Sequence, residues 1–262
     1  MTSSPKRFRR RSRNRNNRNS SACVLSLALC ATLLGSSFAL AQSCPEPLAG
    51  ARRLVLITSK SMTATTGTAR LFERVSPQQA WQPVGASEPV VLGRNGMAWG
   101  VGFQHMASAG EPKKVEGDGR TPAGVYSIGP SFGFAASPRP GYKQITDDTV
   151  CVDDPASPAY NSMTSRSIVG RKVHGENMRA VQRYRRGLVV DYPTDAKTRG
   201  GSCIFIHIKR SSMAPTAGCV ALPEERVAAW QEFSEPGAVL AMAPWAALGR
   251  FSGCLPPITA TP

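Results

Sequence analysis

The sequence lacks several features that would place it in common classes of protein. It has three histidines in 262 residues and contains neither a C-x-x-C pair nor an H-x-x-x-H spacing, so no metal site and no cofactor are predicted. It has no series of long apolar runs, which excludes a multipass membrane protein. Long uninterrupted helices are disfavoured because 24 glycines and 21 prolines punctuate the chain. With 41% hydrophobic residues, enough apolar material remains for a core, and turn-rich β structure suits this composition best.

Acidic residues are also scarce, and the basic excess is concentrated at the N-terminus. The chain has 32 basic and 17 acidic residues, a formal charge of +15. Residues 1–41 contain eight of the basic residues and no acidic one, so the remainder carries 24 basic and 17 acidic residues, or +7.

The N-terminal residues have the parts of a secretory signal peptide. The basic stretch is followed by an apolar segment over 23–41 that ends in Ala39-Leu40-Ala41, and this order is typical of a cleaved export signal. We therefore predict a signal peptide over 1–41, cleavage after Ala41, and export to the periplasm or cell envelope with no stable membrane span left. The alternatives are an uncleaved anchor and a basic nucleic-acid-binding arm. The apolar segment favours export, and no nucleic-acid partner is predicted.

The mature chain would contain an odd number of cysteines. In an oxidising compartment, five cysteines form two disulfides and leave one thiol. Cys44 and Cys254 lie near the two ends and are one candidate pair, in which case Cys151 and Cys203 are the other. Pairing of Cys203 with Cys219 is an alternative, because sequence does not determine connectivity.

Short strands separated by turns dominate the predicted secondary structure. The predicted strands are 52–60, 68–75, 125–129, 185–192, 202–209 and 237–243, with further short strands within 81–100. A turn is predicted over 117–124, loops over 130–160, and the only clear helix over 223–233, where Pro223 suits the first turn. The predicted organisation after the signal is an N-terminal segment over 42–51, one mainly-β domain over 52–245, a barrel or sandwich, and a C-terminal tail over 246–262.

The most informative pair of residues is His207 and Cys219. His207 lies in a strongly predicted strand. Cys219 comes twelve residues after His207 and directly follows Gly218. A neighbouring imidazole lowers the pKa of a thiol and stabilises the ion pair, while a preceding glycine permits a turn in which adjacent N–H groups converge on an oxyanion. The alternative is that Cys219 is half of a disulfide and His207 a core residue. His105 and His174 are predicted to lie on the surface.

Two segments resemble a known family. The sequence IFIHIKRSSMAPTAGCVAL (204–222) resembles the signature of the L,D-transpeptidase catalytic domain (the YkuD, or ErfK/YbiS/YcfS/YnhG, family), and GRTPAGVY (119–126) is similar to its T-P-x-G-x-[FY] turn and strand. The resemblance implies a mainly-β, β-sandwich-like fold with one short helix after the nucleophile. It also implies an envelope enzyme of peptidoglycan biosynthesis and cell shape that acts on peptidoglycan stem peptides.

The resemblance also implies a role for each motif residue. Cys219 corresponds to the nucleophile that forms a thioester, and His207 to the general base. The backbone N–H groups of Gly218 and Cys219 correspond to the oxyanion site, Thr216 to the Ser/Thr of the motif, and the carbonyl of Ile208 to the group that orients the imidazole.

The sequence departs from the family pattern at two positions beside the nucleophile. Ala217 replaces a second histidine and Ala221 replaces an arginine that can hold a stem carboxylate, and we expect Lys209, Arg210 or Arg120 to supply that charge. Two further functions are considered: an L,D-carboxypeptidase-type hydrolase of the same fold, and a non-catalytic, secreted basic module that binds the wall. The second requires a bridged Cys219.

Overall fold

The computed structural model describes residues 44–210, 212–234, 237–251 and 253–258. The predicted signal peptide, residues 1–41, and its cleavage site lie outside the described residues. Within the described part of the chain, no helix has the length and apolar character needed to cross a bilayer.

Strands are the main secondary structure, and the helices are short. The described strands are β1 (Arg53–Ser59), β2 (Thr66–Glu73), β3 (Gln82–Val91), β4 (Met97–Trp99), β5 (Thr121–Gly133), β6 (Lys143–Gln144), β7 (Thr149–Cys151), β8 (Met163–Ser165), β9 (Glu176–Asn177), β10 (Arg186–Asp191), β11 (Phe205–Ile208), β12 (Val220–Leu222) and β13 (Val239–Pro244). The α-helices are α1 (Glu46–Gly50), α2 (Arg166–Val169) and α3 (Glu224–Phe233), and 3-10 turns cover Gln104–Met106, Met178–Ala180, Gln182–Arg185 and Trp245–Phe251.

Most strands belong to one mixed sheet that closes on itself. Its order is β10-β11-β12-β3-β2-β1-β13-β5, and β10 also pairs with β5, so the first and last strands meet. β4 and β6 pair with β5 outside this ring. The β1–β13 and β11–β12 pairs are parallel. A separate three-stranded sheet has the order β8-β7-β9.

The apolar content of individual strands explains their place in the sheet. β1 and β13 are almost entirely buried along their length, as expected for central strands covered on both faces. Their side chains, including Leu54, Leu56 and Met242, are fully buried with Trp99 and Trp230 in the main core. The predicted mainly-β fold is therefore confirmed, with the sheet closed in the manner of a barrel.

Helix α3 covers the seam where β5 and β10 meet. Its Gln231 side chain is buried and donates from Nε2 to the carbonyl oxygens of Phe132 (3.0 Å) and Gly187 (2.8 Å). These two residues face each other across the β5–β10 pair. The helix thus satisfies two buried carbonyl groups that the closure of the sheet removes from water.

The structure corrects several predicted elements. β5 begins at Thr121 and not at 125, because residues 121–123 pair in parallel with β4, so the second half of the predicted turn at 117–124 is strand. Helix α3 confirms the predicted helix, but α1 and α2 are additional short helices, and β6 and β7 lie in the predicted loop region 130–160.

The predicted C-terminal tail is part of the folded domain over its described residues. Ala247, Phe251 and Cys254 are buried, because apolar side chains after β13 pack on the main core. Cys254 is also bonded to Cys44, which ties the predicted N-terminal segment to the same body.

The disulfides have the pairing considered from the sequence. Cys44 pairs with Cys254 and Cys151 with Cys203, and Cys219 is free. The second bridge links β7 of the small sheet to the residues that precede β11. It therefore fixes the small sheet beside the strand that carries His207.

Candidate active site

Two adjacent parallel strands bring Cys219 and His207 together. Ile206 pairs with Val220 and His207 with Ala221, so Cys219 lies one residue before β12, level with Phe205. Side chains alternate along a strand, which places Cys219 and His207 on the same face. The Phe205 backbone N–H donates to Cys219 Sγ at 3.4 Å. Both predicted catalytic side chains line one cavity of about 520 Å³.

The loop before Cys219 is fixed by backbone hydrogen bonds. The Thr216 N–H donates to the Leu92 carbonyl (2.9 Å), and the Thr216 carbonyl accepts from the Arg94 N–H (2.8 Å). Gly218 has φ +147°, and a Cβ there would lie 3.0 Å from the Arg120 carbonyl oxygen. Glycine is therefore required at 218 by both conformation and space.

The Thr216 hydroxyl joins both ends of this loop. It donates to the Cys219 carbonyl oxygen at 2.7 Å and accepts from the Gly218 N–H at 3.1 Å. The Gly218 N–H, predicted as an oxyanion donor, is thus already hydrogen-bonded inside the loop. The tight turn brings the hydroxyl within reach of that amide, a contact that the motif did not reveal.

The His207 ring is held by a backbone carbonyl and an aromatic neighbour. Its Nδ1 lies 2.8 Å from the Ile208 carbonyl oxygen, and because a carbonyl only accepts, Nδ1 carries the proton and Nε2 has the free lone pair. The Tyr184 ring meets the imidazole edge-on at 5.4 Å, and the Tyr184 hydroxyl donates to Glu176 Oε2 at 2.7 Å. These contacts set both the tautomer and the orientation of the ring.

Burial keeps both reacting groups uncharged. It lowers the pKa of His207 to about 4 and raises the pKa of the Cys219 thiol to about 12, because the charged forms lose their hydration. The Phe205 N–H opposes the effect on the thiol but is the smaller influence. At pH 7 these shifts favour a neutral thiol beside a neutral imidazole over the predicted thiolate–imidazolium pair.

The carboxylates and the lysine that line the cavity are already engaged. Lys114 Nζ lies 2.7 Å from Asp118 Oδ1, Glu116 accepts from the Tyr160 hydroxyl, and Glu176 accepts from Tyr184. A further pair at the cavity is formed by Asp153 and His174. These groups therefore satisfy one another before any ligand binds.

Three arginines line the same cavity: Arg94, Arg183 and Arg210. Among the residues that the structure describes, none of their guanidinium groups makes a hydrogen bond or ion pair. Of the replacements predicted for the missing family arginine, Arg210 alone is at the cavity. Arg120 instead donates to the carbonyls of Asn95 and Met97, and Lys209 does not line the cavity.

Sequence reasoning missed Arg94 and Arg183. Arg94 follows β3 and Arg183 lies in the 3-10 turn Gln182–Arg185, both far from the motif, so no sequence signal linked them to Cys219. His174 is 80% exposed at the cavity and His105 is exposed elsewhere, which confirms the prediction that both lie on the surface. No group of His, Cys, Asp and Glu within the described ranges could hold a metal ion.

The fold and the site together define a class of protein. Its members have a closed mixed sheet, and one polar cavity of that sheet contains a free cysteine and a histidine oriented by a backbone carbonyl. Residues 75–240 match the family described as the L,D-transpeptidase catalytic domain, YkuD, and the chain belongs to this family. The resemblance inferred from 204–222 and 119–126 is therefore confirmed. Comparisons with curated proteins and with solved structures gave no match. Membership indicates an L,D-transpeptidase-family enzyme with peptidoglycan as its substrate.

Proposed function

We propose that the protein is an exported L,D-transpeptidase in which Cys219 forms a thioester with a peptidoglycan stem peptide and His207 is the base. The observation that supports this most directly is that Cys219 remains unbridged while the other described cysteines are paired. Two disulfides also suit an oxidising compartment, which supports export to the periplasm or envelope.

In the first half of the proposed reaction, a donor tetrapeptide acylates Cys219. Sγ attacks the carbonyl between the L-centre of the diamino acid and the terminal D-Ala, and the thiol proton moves to His207 Nε2. Because both charged forms are disfavoured by burial, we assign this transfer to the moment of attack. His207 then returns the proton to the leaving nitrogen, and D-Ala departs.

The oxyanion of this step requires donors beside Cys219. We assign the stabilisation of the oxyanion to the backbone N–H of Cys219. The Gly218 N–H becomes a second donor when the oxyanion replaces the Thr216 hydroxyl as its acceptor. The hydroxyl keeps its other hydrogen bond, to the Cys219 carbonyl, so the loop retains its shape during the exchange.

In the second half, an amine of another stem attacks the thioester carbonyl, the C–S bond breaks, and a proton of the amine passes through His207 to Cys219 Sγ, which leaves a cross-link and a free thiol. Attack by water in its place gives the hydrolase alternative, an L,D-carboxypeptidase, from the same intermediate. The wall-binding module required a bridged Cys219, and the free thiol argues against it.

The proposal is tested by mass spectrometry of muropeptides incubated with the mature protein. We expect D-Ala release and an acyl adduct on Cys219, both abolished in Cys219→Ala and reduced by at least about a hundredfold in His207→Ala. His105→Ala is the matched control, since that side chain is exposed and outside the cavity, and it should retain full activity. Dimeric products indicate transpeptidation, whereas tripeptides alone indicate the hydrolase. Near-normal turnover by His207→Ala would show that His207 is not the base.

A further inference from the structure

Arg183 is a half-buried cation placed beside the reacting groups. It lines the cavity with Cys219 and His207, and within the described part of the chain its guanidinium has no hydrogen-bond or ion-pair partner. A half-buried guanidinium that lacks an anion usually faces a ligand or water, because its donors need acceptors.

The turn that carries Arg183 is anchored against the site. Tyr184, the next residue, is buried with its ring 5.4 Å from that of His207 and 5.5 Å from that of Phe205. Arg185 is exposed and pairs with Glu224, to which its Nε donates at 3.1 Å. The fixed Tyr184 therefore holds Arg183 at the cavity while Arg185 binds a helix outside it.

The charge of Arg183, which lines the same cavity, acts on both reacting groups. Its charge lowers the pKa of His207 and of the Cys219 thiol, in each case as a smaller effect than desolvation. Arg210 also acts on His207, but its effect is smaller than that of Arg183. On the paired strand, the residue level with His207 is Ala221, which contributes no charge.

The chemistry of the proposed donor brings a carboxylate to this place. The leaving nitrogen must meet His207 Nε2 to receive a proton, and in a terminal D-Ala the carboxylate carbon is two bonds from that nitrogen. The carboxylate is therefore obliged to lie next to the imidazole, where an arginine can hold it through two parallel hydrogen bonds.

We propose that Arg183 binds the terminal carboxylate of the donor stem peptide and so selects donors that end at the residue being released. This inference rests on the proposed function and assigns to the turn Gln182–Arg185 a charge that the motif itself lacks at Ala221. A donor whose terminal carboxylate is converted to an amide loses this contact.

The test compares two synthetic tetrapeptide donors, one with a free terminal carboxylate and one with a terminal carboxamide. Release of D-Ala or D-alaninamide is measured for the wild type, Arg183→Gln, Arg183→Lys and the control Arg185→Gln. We expect Arg183→Gln to raise KM for the carboxylate donor by about tenfold or more, with little change in kcat or in the kinetics of the amide donor. Arg183→Lys should restore part of the loss, and Arg185→Gln should match the wild type.

If Arg183→Gln lowers kcat/KM equally for both donors, the role of Arg183 is structural. If kcat/KM is unchanged for both donors, Arg183 does not bind the substrate. Calorimetric binding of both donors to Cys219→Ala, with and without Arg183→Gln, separates this inference from the proposed function. If the wild type releases no D-Ala but binding depends on Arg183 and on the carboxylate, the proposed reaction fails and the binding role stands. If release occurs and binding depends on neither, the binding role fails alone.

Discussion

The Cys219 thiol and the His207 imidazole owe their protonation to burial more than to each other. Only 8% of Cys219 and 5% of His207 are exposed, and hydration favours the charged form of each group. In the proposed reaction, one proton therefore moves between two neutral groups at the moment of attack. Two of the surrounding charges change the pKa of the thiol in opposite directions: Arg183 lowers it, and Glu176 raises it.

At the residue scale we predict a specific pH dependence of stability. The pKa of His207 falls from 6.5 to about 4 on folding, so between these values the unfolded chain binds more protons than the folded one. The free energy of unfolding therefore falls as pH decreases through this window, by about 3 kcal/mol for this residue at pH 4 relative to pH 7.5. In urea denaturation at pH 4 and pH 7.5, the free energy of unfolding of His207→Gln should fall by about 3 kcal/mol less than that of the wild type. An identical loss in both proteins would contradict the buried, neutral imidazole.

At the scale of elements, the site is a strand–loop–strand unit whose loop is fixed by its neighbours. β11 presents His207, and the loop 212–219 returns the chain to a parallel partner strand beside it. The turn after β3 and the start of β5 bind this loop through Thr216 and Thr121, the latter donating to the Cys219 carbonyl at 3.4 Å. Cys219 is thus positioned by elements far away in the chain.

We predict that Gly218→Ala impairs activity more than it impairs folding. The added methyl would meet the Arg120 carbonyl, and the backbone at φ +147° disfavours a side chain, so we expect a loss of about 1–3 kcal/mol in stability. The displaced Cys219 should lower kcat by at least about tenfold. Gly50→Ala is the control, because a Cβ there meets nothing within 4 Å and φ is not positive. Wild-type kcat in Gly218→Ala would mean that the loop tolerates the shift.

At the scale of the whole molecule, closure of the sheet and two disulfides hold the cavity together. The β5–β10 pair completes the ring, and the Cys44–Cys254 bridge spans 210 residues of sequence. The Cys151–Cys203 bridge spans 52 residues and joins the small sheet to the cavity wall. The two bridges should therefore differ in their effect on function.

We predict that replacing Cys44 and Cys254 by serine lowers the free energy of unfolding by about 2–5 kcal/mol, because the unfolded chain gains freedom, while kcat/KM for the donor is unchanged. Replacing Cys151 and Cys203 by serine should lower stability and also raise KM, since Cys203 lines the cavity. Denaturation and donor kinetics on both double variants measure this. A larger kinetic defect in the Cys44/Cys254 variant would reverse the assignment.

Local sequence was enough to identify β1, β10, β11, β13 and α3, since each is a run of strand-favouring or helix-favouring residues. It was also enough to single out His207, Gly218 and Cys219, because all three lie in one short segment. β5 was placed four residues late, since its first residues become strand only by pairing with β4.

The charge state of the site and the cations that line its cavity depend on parts of the chain that no local pattern connects. The neutral thiol and imidazole result from their burial by several elements of the fold. The cation at the cavity comes from Arg183. Arg120, which the sequence suggested for that role, donates to backbone carbonyls. The physical reason is that strand and turn propensities act over a few residues. Desolvation and charge–charge distances are instead set by contacts between residues far apart in sequence.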